Sequence, residues 1–348
     1  MSRKLRMGVV GLGMGRGHAR GYQSHPESEL VALCDVDAGR LKEVAGEMGV
    51  EQTYSDPGKM FRQAELDGVS IAVPNKFHAP LTIDALKQGL HVLCEKPMAR
   101  TVKEAERMLA AAQKAQKNLM INFSFRFSDM SYALKQQVDA GVIGDVYFGR
   151  TVWHRRRGLP GFGGWFGNKE LAGGGPLIDL GVHRLDLALW LMGYPEPEVV
   201  SGSAYDPIAR KLAKEQKKHY SVEDLACGLI KFANGATLIL EASWALNIKE
   251  REQMITQLCG TRGGLVQKNV GEGYDFTAEL YTEEEGNLFT KMLDRGIGAP
   301  QSYHEFVNSI LEEREPLATG EQGLKVMKIL EGIYKSAEKG REVRYKVK

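Results

Sequence analysis

Cysteine is scarce in this chain: four in 348 residues, at Cys34, Cys94, Cys227 and Cys259, far apart and without CxxC or histidine-rich spacing. That excludes a disulfide scaffold and gives no metal-ligand signature, so reduced thiols and no metal site are expected, as in a cytosolic protein. Net charge is nearly absent as well. Lys and Arg number 46 against 44 Asp and Glu, a formal charge of +2, so there is no basic field to gather phosphate backbone, and nucleic acid is excluded as a partner. Also missing is any apolar run long enough to cross a bilayer. Ser2 to Leu5 is charged and enters a strand pattern directly, without an apolar signal core, so no membrane partner and a cytoplasmic location are expected.

What is there is ordinary globular material, 43% hydrophobic and 26% charged. A single core rarely grows beyond ~250–300 residues, so the length implies two domains. The most unusual stretch is Gly173 to Met192, GGGPLIDLGVHRLDLALWLM. Read as a helix it is too apolar for a surface, yet Asp179, His183 and Asp186 fall at i, i+4 and i+7. Buried polar groups need partners, so this stripe should face partner groups or a ligand pocket. Pro176 suits a first helical turn, and the three preceding glycines admit a close neighbour.

The first half alternates. Leu5–Val10 reads as a strand, breaks into GLGMGRGHARG, and continues as a helix to about Ser24. Strand, glycine turn and helix in that order suit a dinucleotide, whose pyrophosphate meets the N–H groups of the helix start. Gly11 and Gly13 fit the fingerprint, but Arg16 stands at the third position between Gly15 and Gly17, so a turn one residue shorter than usual is expected. A second strand, Leu30–Leu33, leads to Asp35, placed to accept both ribose hydroxyls and to repel a 2′-phosphate, which favours NAD over NADP. The competing role for Asp35 is an N-cap for a helix near Ala38, and Arg40 leaves NADP open. Strand patterns at Val69–Val73 and His91–Glu95 alternate with helical ones at Ala79–Gln88 and Thr101–Gln116, which means a doubly wound parallel sheet. Its strands end in Pro74, Asn75 and His78, and in Cys94, Glu95, Lys96 and Pro97. A lysine at that carboxyl edge is a candidate for function, because such sheets bind ligands there.

HVLCEKPMA, preceded by VPNKFHAPLTIDALKQGL and followed by GGGPLIDLGVHRLDLALWLMG, resembles the Gfo/Idh/MocA family of nicotinamide-dependent sugar and cyclitol oxidoreductases. The likeness covers almost the whole chain. It implies that Lys96, Asp179 and His183 are the catalytic set and that a secondary alcohol of a sugar or polyol is oxidised. It further implies that Asn75 and His78 lie along the cofactor and that Glu95 and Pro97 shape the turn beneath the nicotinamide; together with the glycine turn and Asp35, the expected cofactor contacts are Gly11, Gly13, Met14, Gly15, Asp35, Arg40, Val73, Pro74, Asn75, His78, Glu95 and Lys96. Rival readings are glycoside cleavage or epimerisation by transient oxidation without net redox, and a non-catalytic dinucleotide-binding sensor.

Residues 1–123 are therefore expected to form the Rossmann domain and 124–320 a C-terminal α+β domain with a large, open, mostly antiparallel sheet. A helix follows from Asp129 to Ala140. Strand patterns run at Asp145–His154, Glu198–Ala204, Leu225–Phe232, Thr237–Trp244, Met254–Cys259, Leu265–Val270 and Thr277–Thr282, with Asn234-Gly235 as a hairpin turn. A homodimer or homotetramer through this sheet is expected. Tyr205–Val222 reads as a surface excursion. Gln301–Glu313 and Glu321–Lys339 look helical, and the resemblance implies that the latter packs back on the first domain. The glycine- and aromatic-rich loop His154–Lys169 reads as a substrate loop, with Arg126, Trp153, Arg156 and Trp165 as candidate substrate contacts.

Overall fold

The computed structural model describes residues 3–294 and 298–346. The chain forms two compact units: one runs through Asn122 and takes in Pro300–Met327, the other comprises Phe123–Ala299 and the chain from Lys328 onward.

In the first unit the order is β1 (Leu5–Val10), α1 (Gly15–Ser24), β2 (Ser28–Cys34), α2 (Ala38–Met48), β3 (Gln52–Tyr54), α3 (Pro57–Gln63), β4 (Gly68–Ile71), α4 (His78–Lys87), β5 (His91–Cys94), α5 (Val102–Ala115) and β6 (Leu119–Ile121). The six strands are parallel in the order β3-β2-β1-β4-β5-β6. Met7, Val9, Val69, Ile71, Val92 and Leu93 are fully buried, as expected when helices cover both faces of a parallel sheet. Strand order reverses between β1 and β4, and ligands of such sheets lie at the carboxyl ends beside that reversal. β3 and β6 were not legible in sequence, being three residues each. Asp37, not Asp35, caps α2, accepting the Arg40 N–H at 3.0 Å.

The second unit contains α6 (Asp129–Asp139), β7 (Val146–Arg155), α7 (Lys169–Ala172), a π-helical turn over Leu177–Gly181 that runs into α8 (Val182–Leu191), β8 (Pro197–Tyr205), α9 (Pro207–Glu215), β9 (Leu225–Phe232), β10 (Thr237–Ser243), β11 (Glu252–Gly260), β12 (Gly263–Asn269), β13 (Phe276–Glu284) and β14 (Asn287–Leu293). With the late β15 (Val343–Arg344) these strands make a nine-stranded sheet, β14-β13-β12-β11-β7-β10-β9-β8-β15. Only β10 and β7 pair in parallel; the other neighbours are antiparallel. α8 packs on β7 and β11, so its apolar surface lies on one face of the sheet. The protein thus joins a Rossmann sheet to an α+β unit with an open, mostly antiparallel one.

Tyr205–Val222 is mostly exposed, as expected of a surface excursion, but includes the helix α9 that the sequence did not announce. Ala209 and Ala213 are its buried face, and Asp224 accepts the N–H groups of Ile208 and Ala209 at 2.8 and 2.7 Å. The cap sits well downstream, so no local pattern announces it. Two later helices, α10 (Ser302–Leu311) and α11 (Gly320–Lys339), follow. α10 belongs to the first unit, and α11 divides between the units after Met327. Its first turns lie on Ile121 and Met98 through Gly323, while Ile333 packs against Gly202 of β8 and Gly228 of β9.

Candidate active site

At the carboxyl end of β1 the chain turns sharply at Gly11, whose φ is +85° and where a Cβ would collide with the Ala72 carbonyl. A Cβ at Gly13 would meet nothing within 4 Å, whereas one at Gly15 would press on Val9 at 2.7 Å. The glycine needed for close helix–strand packing therefore comes one residue early, as the irregular fingerprint suggested. α1 begins with no side-chain cap at the exposed Met14 and no acid in its first turn. Its first N–H groups are thus left for an anion. Asp35 is 5% exposed. Its Oδ2 accepts the Leu12 N–H at 2.8 Å, its Oδ1 accepts the Asp37 N–H at 2.8 Å, and Arg40 Nη1 lies 3.3 Å from Oδ2. The carboxylate braces the glycine turn, and Oδ1, with one N–H on it, keeps a second lone pair for a hydroxyl. Open space at Gly13, an uncapped helix start and a carboxylate ending β2 fit a pyrophosphate and ribose.

Glu95, just past β5, is the centre of a buried polar network. Its Oε1 accepts from His18 Nε2 at 2.9 Å and Asn122 Nδ2 at 2.7 Å, and its Oε2 from the Lys96 N–H at 3.1 Å. Burial works against the carboxylate, but His18, Asn122 and the Lys96 charge outweigh it and hold the group at about 2. His18 Nδ1 in turn meets Ser70 Oγ at 2.9 Å. Helix α1 is thereby locked to the turn that carries Lys96, whose own side chain is half-buried. Among the residues expected along a cofactor, Asn75 is buried, and Val73 and Pro74 are half-buried. His78 is a correction: it is 1% exposed, with Nδ1 2.7 Å from the Pro97 carbonyl and Nε2 2.8 Å from that of Val73. It is a strut between two turns, with both nitrogens already engaged.

In the second unit, the π turn places Asp179 one helical ring before His183. The Trp244 indole N–H donates to Asp179 Oδ2 at 3.1 Å, and the His183 ring lies 4.9 Å from Phe125 and 5.6 Å from Trp153. Asp186 does not share these neighbours. It forms a two-pronged ion pair with Arg126, Nε to Oδ2 at 2.9 Å and Nη2 to Oδ1 at 2.6 Å, closed by the Tyr194 hydroxyl. Burial opposes the Arg126 charge, but Asp186 more than offsets it and raises the guanidinium further. Arg126 is thus not placed as a substrate contact: it is 1% exposed and engaged inside the fold. The π turn, by inserting an extra residue, breaks the regular i, i+4, i+7 stripe.

The triple glycine also has a partner, and it is protein. A Cβ at Gly174 would collide with the Tyr334 hydroxyl and one at Gly175 with the Glu223 carbonyl. Glu223, which the sequence reading missed, accepts the N–H groups of Gly175 and Leu177 at 2.9 and 3.1 Å and the Tyr334 hydroxyl at 2.7 Å. It caps the helix start from 46 residues away. Also missed was Arg184, fully buried, whose guanidinium contacts Thr256 and Gln267 and lies over the Phe125 and Phe276 rings. Burial lowers it to about 9.

Of the other substrate candidates, Trp153 is 2% exposed and donates its indole N–H to Glu252 at 2.8 Å. Trp165 is half-buried and stacks on Phe166 at 3.9 Å, and Phe166 meets Trp244 edge-on at 6.4 Å. Arg156 is exposed. Asp179 and His183 are thus surrounded by aromatic rings, surfaces that suit the C–H faces of a sugar. The described residues hold no group of three or more His, Cys, Asp or Glu placed to bind a metal ion, and no helix among them is long and apolar enough to cross a membrane.

A glycine turn, an uncapped helix start and a strand-ending carboxylate on a six-stranded parallel sheet define a dinucleotide-binding protein. Residues 5–123 match the oxidoreductase family model with an NAD-binding Rossmann fold, and residues 135–347 match that family's C-terminal alpha/beta domain; the chain belongs to the Gfo/Idh/MocA oxidoreductase family and is an NAD-binding oxidoreductase. Among curated relatives, D-glucoside 3-dehydrogenase of Escherichia coli is 36% identical, with 98% of each chain covered. Myo-inositol 2-dehydrogenase of Thermotoga maritima is 27% identical, again with 98% of each covered. The aldose-aldose oxidoreductase of Caulobacter crescentus, solved with glycerol, superposes with a TM-score of 0.84 at 27% identity, covering 99% of this chain and all of that one.

Proposed function

We propose that the protein is a dehydrogenase of secondary alcohols on sugars, sugar derivatives or cyclitols, with Lys96, Asp179 and His183 as its catalytic residues. The observation that carries the reading is the end-to-end likeness to a glucoside dehydrogenase. It is supported by the aromatic surroundings of Asp179 and His183. The bound nicotinamide supplies the hydride acceptor. His183 takes the hydroxyl proton, since imidazole changes charge near neutral pH. The Lys96 ammonium stabilises the oxygen as it becomes an alkoxide. Asp179, fixed by the Trp244 indole, orients the polyol by accepting from a neighbouring hydroxyl. Gly11, Gly13, Met14, Gly15 and Asp35 hold the pyrophosphate and ribose, and Val73, Pro74, Asn75 and Glu95 shape the rest of the cofactor's bed. The subunits assemble as a dimer or tetramer through the open face of the nine-stranded sheet, where Phe148, Leu229 and Met292 are exposed.

The test is a panel of sugars, sugar acids, glycosides and inositols with each nicotinamide cofactor, followed by absorbance of the reduced form. Stoichiometric NADH with a sugar supports the reading. Substrate loss without free NADH turns it toward the non-redox rival, and NAD binding without turnover on any member turns it toward a sensor. His183→Ala and Lys96→Ala should each cost ~100-fold or more in kcat; near-normal turnover in His183→Ala would pass the base role to Lys96.

A further inference from the structure

The second unit has a cleft of about 560 Å3 lined by Arg155, Arg156, Arg157, Arg251, Glu252 and Glu272. Four guanidinium groups face two carboxylates, and the carboxylates are poorly placed to neutralise them all. Glu252 Oε1 is shared between Arg155 Nε and the Trp153 indole, both at 2.8 Å. Arg251 lies 3.5 Å from Glu272, but the two side chains are 79% and 61% exposed, where an ion pair is worth little. Arg157 donates to the Leu246 carbonyl and to Asn247 Oδ1, which holds its position without cancelling its charge. No ion pair joins Arg156 to a carboxylate among the described residues. The cleft therefore carries about two uncompensated positive charges that repel one another.

The chain around it is built rather than loose. The Arg156 N–H donates to the Arg251 carbonyl at 2.8 Å, that of Gly158 to Trp244 at 2.7 Å and that of Leu246 to Arg155 at 3.0 Å. Two routes lead from the cleft to the residues proposed for catalysis. The Arg155 guanidinium lies 5.4 Å over the Trp153 ring, which is 5.6 Å from His183. Gly158 hangs from the backbone of Trp244, whose indole holds Asp179. The wall of the cleft and His183 thus share an aromatic neighbour in Trp153, which Arg155 and His183 both border.

We propose that this cleft holds an anionic group of the substrate, a carboxylate or phosphate carried on a substituent of the ring that is oxidised, with Arg156 and Arg157 as its ligands. Guanidinium forks match the paired oxygens of either anion. The inference rests on the dehydrogenase reading for the ring's position and adds the charge of the substrate.

The experiment compares matched pairs: methyl β-glucoside against methyl β-glucuronide, and glucose against glucose 6-phosphate. Both kcat/KM and calorimetric binding to the NAD-loaded protein are measured, in the parent and in Arg156→Ala and Arg157→Ala. The expected result is an advantage of about tenfold or more for the anionic member of at least one pair, the size of one hydrogen bond to a charged group. The glucuronide and phosphate arms identify which anion the cleft takes. The advantage should shrink by a similar factor in either variant and decline with added salt. Equal or better use of the neutral members, or an anionic advantage that survives both substitutions, overturns the proposal while leaving the dehydrogenase reading intact. Arginine-dependent binding of the anionic sugar without turnover of any sugar would do the reverse.

Discussion

Asp179 and Asp186 lie seven residues apart in one buried segment, yet their surroundings assign them different work, and substitution should separate them. The Asp186 and Arg126 side chains are each 1% exposed and joined by two hydrogen bonds. Asp186→Ala would leave that guanidinium buried without its carboxylate. Breaking one side of a buried ion pair costs about 3–5 kcal/mol, because an uncompensated charge remains in a low-dielectric interior. A domain of ~150–250 residues loses roughly 2–4 °C per kcal/mol, so the unit's unfolding midpoint should fall by about 6–20 °C. Asp179→Asn is different. An amide oxygen still accepts the Trp244 N–H, so the midpoint should move by no more than about 2 °C, within what ~0.5 kcal/mol gives, while turnover falls ~100-fold or more. Differential scanning calorimetry and initial-rate assays on the two variants decide the matter. If Asp186→Ala melts with the parent, or Asp179→Asn unfolds as readily as Asp186→Ala, the division of labour argued from their partners is wrong. The double substitution Arg126→Met with Asp186→Leu supplies a control: removing both charges should recover most of the loss.

Glu95 sits at about 2 in the folded protein against an ordinary value of ~4.3. It therefore stabilises the fold fully above the ordinary value and loses that contribution as pH falls from ~4.3 toward 2; Glu95→Gln should lower the unfolding midpoint at pH 7 and flatten its pH dependence in that window, and an unchanged acid profile would contradict the network. Arg184 is buried on two neutral side chains; without it Thr256 Oγ1 keeps Thr151 and Gln267 Nε2 keeps Ser131, and only Gln267 Oε1 loses its donors, a smaller cost than a buried charge with no carboxylate beside it. Arg184→Met should accordingly be neutral or raise the midpoint, and a drop of several degrees would mean the buried cation stabilises the fold after all. Light scattering at micromolar concentration should give a dimer or tetramer, and a monomer would refute assembly through the exposed sheet face.

The alternation of the first half was legible because parallel strands buried on both faces read as short apolar runs between helical patterns. Strands β3 and β6 escaped because three residues carry no period, and β14 because exposure on both faces leaves no alternation. The polar stripe of the central helix drew attention to Asp179 and His183, but the same reasoning included Asp186 and passed over Arg184 one residue after the histidine. Periodicity shows that a polar group is buried; it does not show what meets it. The partners lie 60 residues away for Asp186, 77 for Glu95 and 111 for Glu223, distances over which a local pattern has no information.

The triple glycine shows why this matters for reading function from sequence. Glycines before a buried helix are equally compatible with a ligand and with another part of the chain, since both need the absent Cβ. Here the space is taken by Tyr334 and by Glu223, whose carboxylate answers two N–H groups of the helix start and so removes them as an anion site. The glycine turn after β1 differs in the one respect that counts: Gly13 faces open space and the helix behind it has no side-chain cap. Of the two glycine-rich helix starts, the first is left for a phosphate and the second is closed by protein. It is this difference in capping, not the count of glycines, that places the dinucleotide on the first unit and gives the second helix to the fold and to the positioning of Asp179 and His183.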